Sequence, residues 1–303
     1  MRMVANLTDP GPLISTRTLL SHDGLALACD VTGPVDAARG GVVLAHGFGQ
    51  TARAWRTTAS ALAQSGYHAV AADGRGHGRS QWNPAGVPYT LEQFLDDVRV
   101  LAASAPRPAW IGASMGGLLG LLAAGESAAP PFSALVLVDV TPRWEPAGVE
   151  RIIGFMRAHP QGFESFDAAA DAIAHYLPHR ARRKSPDRLQ GLLVRGPDDR
   201  LRWHWDPRLL QELADQAERW QDRLAAAAAR LRLPTLLVSG GLSDLVSERT
   251  VAEFCRLAPH AGHARIDDAT HMVAGDSNAR FTGLILDFLN RTESARSRPR
   301  SCP

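Results

Sequence analysis

Short, largely apolar runs alternate with helical stretches in two parts of this chain, and the gap between those parts narrows the possible folds most. GVVLAHG (41–47), YHAVAAD (67–73), PAWIGAS (108–114) and SALVLVDV (133–140) have the length and apolar content of buried strands. Between them, Ala52–Gln64 and GGLLGLLAAGE (116–126) have helical composition. Leu91–Ala103 places Leu91, Phe94, Leu95, Val98 and Leu101 at helical spacing. The rhythm stops at Thr141-Pro142 and resumes with PTLLVSG (234–240), Ser247–Leu257, HARID (263–267) and Asn278–Leu289. Alternation of this kind specifies a mostly parallel sheet with helices on both faces, an α/β fold. Two runs at Ser15–Val31, joined by His22-Asp23-Gly24, read as an antiparallel hairpin ahead of it. Residues 15–140 and 234–291 therefore form the expected core. Residues 141–233, with no convincing buried strand and a long helical candidate at Gln211–Leu231, are expected to be a helical lid over the carboxyl edge of the sheet. Residues 1–14 and 292–303 read as loose termini.

Composition removes several chemistries. The chain has 303 residues, with 33 basic and 31 acidic, too balanced for nucleic-acid binding over the whole surface. Lys184 is the only lysine, and its setting, Arg182-Arg183-Lys184-Ser185-Pro186, suits neither a phosphate loop, nor a kinase strand, nor a Schiff base. Cys29, Cys255 and Cys302 form no C-x-x-C pair, which suggests reduced thiols and a cytoplasmic protein. No signal peptide or membrane-spanning run is read, so a membrane partner is not expected. No metal-ligand cluster and no cofactor are implied. The oligomeric state is open.

The chemistry concentrates where strands end. Gly112-Ala113-Ser114-Met115-Gly116 is a G-x-S-x-G between a strand and a helix, the setting of a serine nucleophile on a tight turn. A serine hydroxyl needs a base, and His271, after the last strand, is the best placed of 11 histidines. The base needs a carboxylate to fix its tautomer. Asp244, in Gly241-Leu242-Ser243-Asp244, gives the order Ser, Asp, His and is favoured; Asp139, ending the strand before the lid, is the rival. The amides of Phe48, in His46-Gly47-Phe48-Gly49, and of Met115 are the candidate oxyanion donors.

The motifs HGFGQ (46–50), DGRGHGRS (73–80), GASMGG (112–117) and GGLSD (240–244), with the His271 loop, resemble the α/β-hydrolase superfamily over residues 15–290. Within it the chain is most similar to lidded esterases and to cofactor-free haloperoxidase-like or perhydrolase enzymes. The resemblance implies a serine hydrolase that cleaves small carboxylic esters through an acyl-enzyme, and that Asp73 and Arg75 brace the sheet edge. Peroxide-dependent acyl transfer and C–C bond hydrolysis use the same triad and stay open. Ser114 argues against the epoxide hydrolases and haloalkane dehalogenases, which carry aspartate at the elbow. Thr270 stands where a glycine usually precedes the histidine. In the lid, Trp144, Phe155, Met156, Tyr176, Trp203 and Trp205 suggest an apolar pocket, with Phe48, Trp144, Phe155, Trp203 and Trp205 taken as substrate-binding. Arg180, Arg182, Arg183, Lys184 and Arg188 read as a solvated basic run, with contact to an anionic substrate as the alternative.

Two readings from other classes remain. Gly47-Phe48-Gly49-Gln50-Thr51-Ala52 followed by Asp73 fits a dinucleotide fingerprint, hence an NAD(P)-dependent oxidoreductase. That reading leaves Ser114, Asp244 and His271 unexplained. A hydrolase-fold binding protein without turnover is the other, and a complete-looking triad argues against it.

Overall fold

A computed structural model describes residues 14–176, 189–214 and 217–297. Its centre is an eight-stranded sheet. The hairpin β1 (Ile14–Leu20) and β2 (Ala26–Thr32) is antiparallel and forms one edge. β2 also runs antiparallel to β4 (His68–Ala72). From there β3 (Gly41–Ala45), β5 (Ala109–Ala113), β6 (Ala134–Val138), β9 (Thr235–Gly240) and β10 (Gly262–Ile266) continue in parallel. Each strand expected from the sequence is present, its ends within a residue or two of the expected ones.

The two-residue period of β structure sorts side chains between two cores. Val43 and Ala45 face a core shared with α2 (Leu91–Ala103), α3 (Met115–Gly125) and α8 (Glu248–Leu257). Val42 and Leu44 face the other, shared with α1 (Arg56–Gln64) and α10 (Asn278–Ser297). Both faces are buried, so the central strands are apolar throughout rather than alternating. α2 begins on a capping box in which the Thr90 hydroxyl accepts from Gln93 N–H and the Gln93 side chain answers to the Thr90 amide.

The stretch between β6 and β9 departs from a purely helical lid. α4 (Pro146–Arg157) and α5 (Phe166–Tyr176) are followed by an antiparallel hairpin of β7 (Leu193–Arg195) and β8 (Leu201–Trp203). Three-residue strands bury only Leu193 and Leu201 fully, too little for an apolar period to register in the sequence. These elements share a small core of their own, including Phe163, Ala169, Ala170 and Ile173. The helical candidate at Gln211–Leu231 is occupied by two helices, α6 (Arg208–Ala214) and α7 (Ala217–Ala229). α7 packs on α3: a Cβ on Gly125 would lie 2.2 Å from Ala227 O, so only glycine permits that approach. Leu224, Ala227 and Ala228 thereby join the main core instead of a lid. The basic run at Arg180–Arg188 lies outside the described residues, as do 1–13 and 298–303. α10 extends to Ser297, past the point where a loose tail was expected to begin. Among the described residues no helix is long and apolar enough to cross a membrane.

Candidate active site

Ser114 sits between β5 and α3 at φ 46°, ψ −118°, a region that non-glycine residues rarely occupy. Such backbone strain costs about 1–3 kcal/mol and persists only where neighbours hold it. The flanking glycines show how it is held. A Cβ on Gly112 would lie 2.3 Å from Gly116 O, and one on Gly116 would lie 2.5 Å from Ala45 O. The turn is thus closed on itself and pressed against the end of β3. That brings the elbow to the first loop, where a Cβ on Gly47 would meet Ser114 Cβ at 3.1 Å. Phe48 and Met115, on the two sides of this contact, both pack against the main core, and neither amide donates a hydrogen bond to another described residue. Two free N–H groups beside a serine, one of them at a helix N-terminus, suit an oxyanion.

His271 lies between β10 and the short helix α9 (Val273–Asp276). Its Nδ1–H donates to Asp139 Oδ2 at 2.7 Å. That bond fixes the tautomer and leaves Nε2 with a lone pair able to accept a proton. Thr270, in the usual glycine position, is tied down by Asp276, whose Oδ2 accepts from both the Thr270 amide and its hydroxyl. No hydrogen bond links Ser114 to His271, a link commonly long outside the Michaelis complex. Both residues line one cavity of about 230 Å³.

The carboxylate on His271 is Asp139, which corrects the preference for Asp244. Asp139 follows β6 at φ 51° and is fully buried. It also accepts from Gly240 N–H at 2.7 Å and from the Ser243 hydroxyl at 2.6 Å. Asp244 instead binds Arg151 of α4, its Oδ2 accepting from Arg151 Nε at 2.7 Å, and it is about a third exposed. β6 and β9 are parallel neighbours, so their following loops emerge side by side, and chain order does not say which acid reaches the histidine. A local signal was available. Asp139 stands between Val138 and Val140 at the end of a core strand, where an acid must be buried and partnered, whereas Asp244 lies beyond a Gly-Gly turn. Ser243, the hydroxyl that holds Asp139, was passed over entirely.

A second group missed in the sequence surrounds Gly49. His46 donates through Nδ1 to Gly47 O and accepts from Gly74 N–H at 2.8 Å. His77 donates to Arg75 O and accepts from Gly49 N–H at 3.2 Å. His204, from the segment after β8, accepts from Gly78 N–H at 2.7 Å and donates to Gly49 O at 3.3 Å. The Gly49 peptide is therefore clamped on both sides. Each ring uses one nitrogen as donor and one as acceptor, which requires the neutral form. Burial agrees: it lowers His46, takes His77 well below its ordinary value and brings His204 down to about 4.

Asp73 does not present a free carboxylate to a ribose. It is buried and accepts from Ala52 N–H, Arg79 N–H and Arg79 Nε. Arg75, also buried, is held by Asp97, Asp23 and Asn83. Both residues brace the loop after β4, and with Gly47 packed on Ser114 they remove the basis of the dinucleotide fingerprint. Among the described residues no group of three or more His, Cys, Asp or Glu is arranged for a metal. Of the aromatics expected to line a pocket between β6 and β9, Phe155, Tyr176, Trp203 and Trp205 line the cavity with His271, while Trp144 lines a second cavity that also opens on Ser114.

A mostly parallel sheet with a strained serine at the end of its central strand and a histidine after its last defines an α/β-fold hydrolase, esterase-like in kind. Residues 36–278 match the family described as serine aminopeptidase, S33, and the chain belongs to it. A 3-hydroxybutyrate-oligomer hydrolase of Cupriavidus necator is 31% identical over 247 residues, 76% of this chain and 82% of that protein. An α/β hydrolase from Novosphingobium aromaticivorans superposes with TM-score 0.74 at 26% identity, covering 92% of this chain and 98% of its own. E-2-(acetamidomethylene)succinate hydrolase shares the fold at TM-score 0.78 and 22% identity, over 92% of this chain and all of its own.

Proposed function

We propose that the protein is a serine esterase that hydrolyses small carboxylic esters through an acyl-enzyme. The observation that carries this reading is the hydrogen bond from His271 Nδ1 to buried Asp139, at a histidine sharing a cavity with strained Ser114. Ser114 Oγ attacks the carbonyl carbon while His271 Nε2 takes its proton. The Phe48 and Met115 amides hold the oxyanion, and Asp139 stabilises the imidazolium. His271 then protonates the departing alkoxide. Water, deprotonated by the same nitrogen, releases the acid and restores Ser114. The relatives support ester and related acyl chemistry without naming the substrate here. The free thiols at Cys29 and Cys255 support a reducing, cytoplasmic setting.

The test is labelling of the purified protein by a fluorophosphonate, with peptide mapping of the adduct, beside hydrolysis of p-nitrophenyl esters. Label on Ser114 and loss of both labelling and turnover in Ser114→Ala are expected. Full turnover in that variant, with its thermal unfolding unchanged, overturns the reading.

A further inference from the structure

Ser114 stands at the junction of two cavities that differ in chemistry. The first, about 230 Å³, is lined mostly by apolar and aromatic side chains but adds the polar groups of His46, Gln50, Tyr176 and His271. The second, about 150 Å³, runs between α3, α4 and α6. Among the described residues, its walls apart from Ser114 itself are apolar or aromatic; Leu118, Val149, Ile153, Leu210 and Trp220 are examples. Among the described residues no charged side chain lines it, and Met115, whose amide faces the oxyanion in the proposed mechanism, forms part of its wall.

The reaction assigns the two arms. The departing oxygen must receive its proton from His271 Nε2, so the leaving group lies on the His271 side. His271 lines the first cavity and not the second. The acyl chain of the tetrahedral intermediate is left with the second. From this we propose that the enzyme acts on esters of uncharged, unsubstituted hydrocarbon acyl chains, with the acyl group seated between α3, α4 and α6 and the alcohol on the His271 side. The assignment rests on the serine esterase reading above and adds its acyl specificity.

A hydroxyl or carboxylate on the acyl chain would be buried there without a partner, which is costly. The acyl arm thus selects against 3-hydroxyacyl groups, the units named for the relative from Cupriavidus necator. Each methylene moved from water into such a wall raises kcat/KM about fourfold until the cavity is full.

The experiment measures kcat/KM for p-nitrophenyl acetate, butyrate, hexanoate and octanoate, then for the 3-hydroxy form of the octanoate. Methyl, butyl and glyceryl butyrates vary the alcohol. The expected result is a steep rise along the acyl series and a tenfold or greater loss on adding the hydroxyl. Val149→Phe, which narrows the acyl arm, should lower the octanoate-to-butyrate ratio at least tenfold without changing the ranking of alcohols. Leu192→Phe, in the other arm, should reorder the alcohols and keep the acyl ranking. If Val149→Phe does not fold, Ile153→Phe replaces it. A flat acyl series, a preference for the 3-hydroxyacyl ester, or an exchange of the two variants' effects overturns the assignment. Fluorophosphonate labelling of Ser114 is run in parallel. Label with a flat series sinks only the acyl assignment, whereas absence of label sinks the esterase reading beneath it.

Discussion

At the scale of single residues, two acids ending neighbouring loops have opposite fates. Asp139 is buried with three donors, and Asp244 is paired to Arg151 near the surface. Asp139→Asn keeps the size of the side chain but cannot stabilise an imidazolium, and it favours the wrong tautomer. Turnover should fall about 10⁴-fold, the loss seen for the equivalent change in a serine protease. Asp244→Asn should change it tenfold at most. Parallel kcat measurements on refolding-matched variants check the pair, and an inverted order would return the role to Asp244. That Ser114, His271 and the loop carrying Phe48 meet at one cavity was legible in the sequence because each sits in a local motif: glycines that only a tight turn requires, and a histidine after a final strand. The acid was not, because its identity depends on which of two adjacent loops points inward. The histidines around Gly49 were not legible either, since His204 lies 155 positions from the glycine it touches.

At the scale of elements, the strands were readable because burial on both faces makes them apolar without interruption. The segment after β6 was harder. Its hairpin is short, and α7 resembles a lid helix in composition while packing on α3 as part of the core. What ties this segment to the chemistry is His204, which joins the Gly78 amide to the Gly49 carbonyl. The connection runs from β8 to the loop that carries the Phe48 amide. His204→Leu retains the bulk but strands both backbone groups, at about 1–3 kcal/mol each. The first loop should then lose its fixed geometry. An oxyanion donor held loosely lowers kcat more than it raises KM, because the interaction matters most in the transition state. We expect kcat to drop at least tenfold, KM to change less than threefold, and the melting temperature to fall. Steady-state kinetics with thermal unfolding test this. A rise in KM at constant kcat would instead make His204 a binding residue.

At the scale of the whole molecule, the same histidines set how the fold responds to acid. His46, His77 and His204 are each almost wholly buried, and desolvation is the first cause of the lowered pKa of each. For His46 the nearby Asp73 opposes that shift, and His77 and His204 are pushed further down by His46. In the unfolded chain these rings titrate near the ordinary value of about 6.5. Between that value and about 4, where folded His204 titrates, the unfolded state binds more protons. Stability therefore rises with pH across this window and is lost as pH falls through it. His204 alone contributes on the order of 3 kcal/mol, from roughly 1.4 kcal/mol per pKa unit. Asp73 and Asp206 act in the same direction. Burial opposes both shifts, but His46 and backbone donors keep Asp73 low, and Arg208 keeps Asp206 low. Asp97, raised by burial, works the other way within the carboxylate range. The melting temperature should accordingly hold steady above pH 7 and fall between about pH 6.5 and 4.5, where few ordinary carboxylates have yet titrated. His204→Leu, less stable at neutral pH, should show a shallower fall, since it has one fewer proton to take up on unfolding. Melting curves across that range decide the matter: a temperature that stays flat down to pH 4.5 would mean that these histidines are protonated in the fold, and the neutral clamp on Gly49 could not then exist.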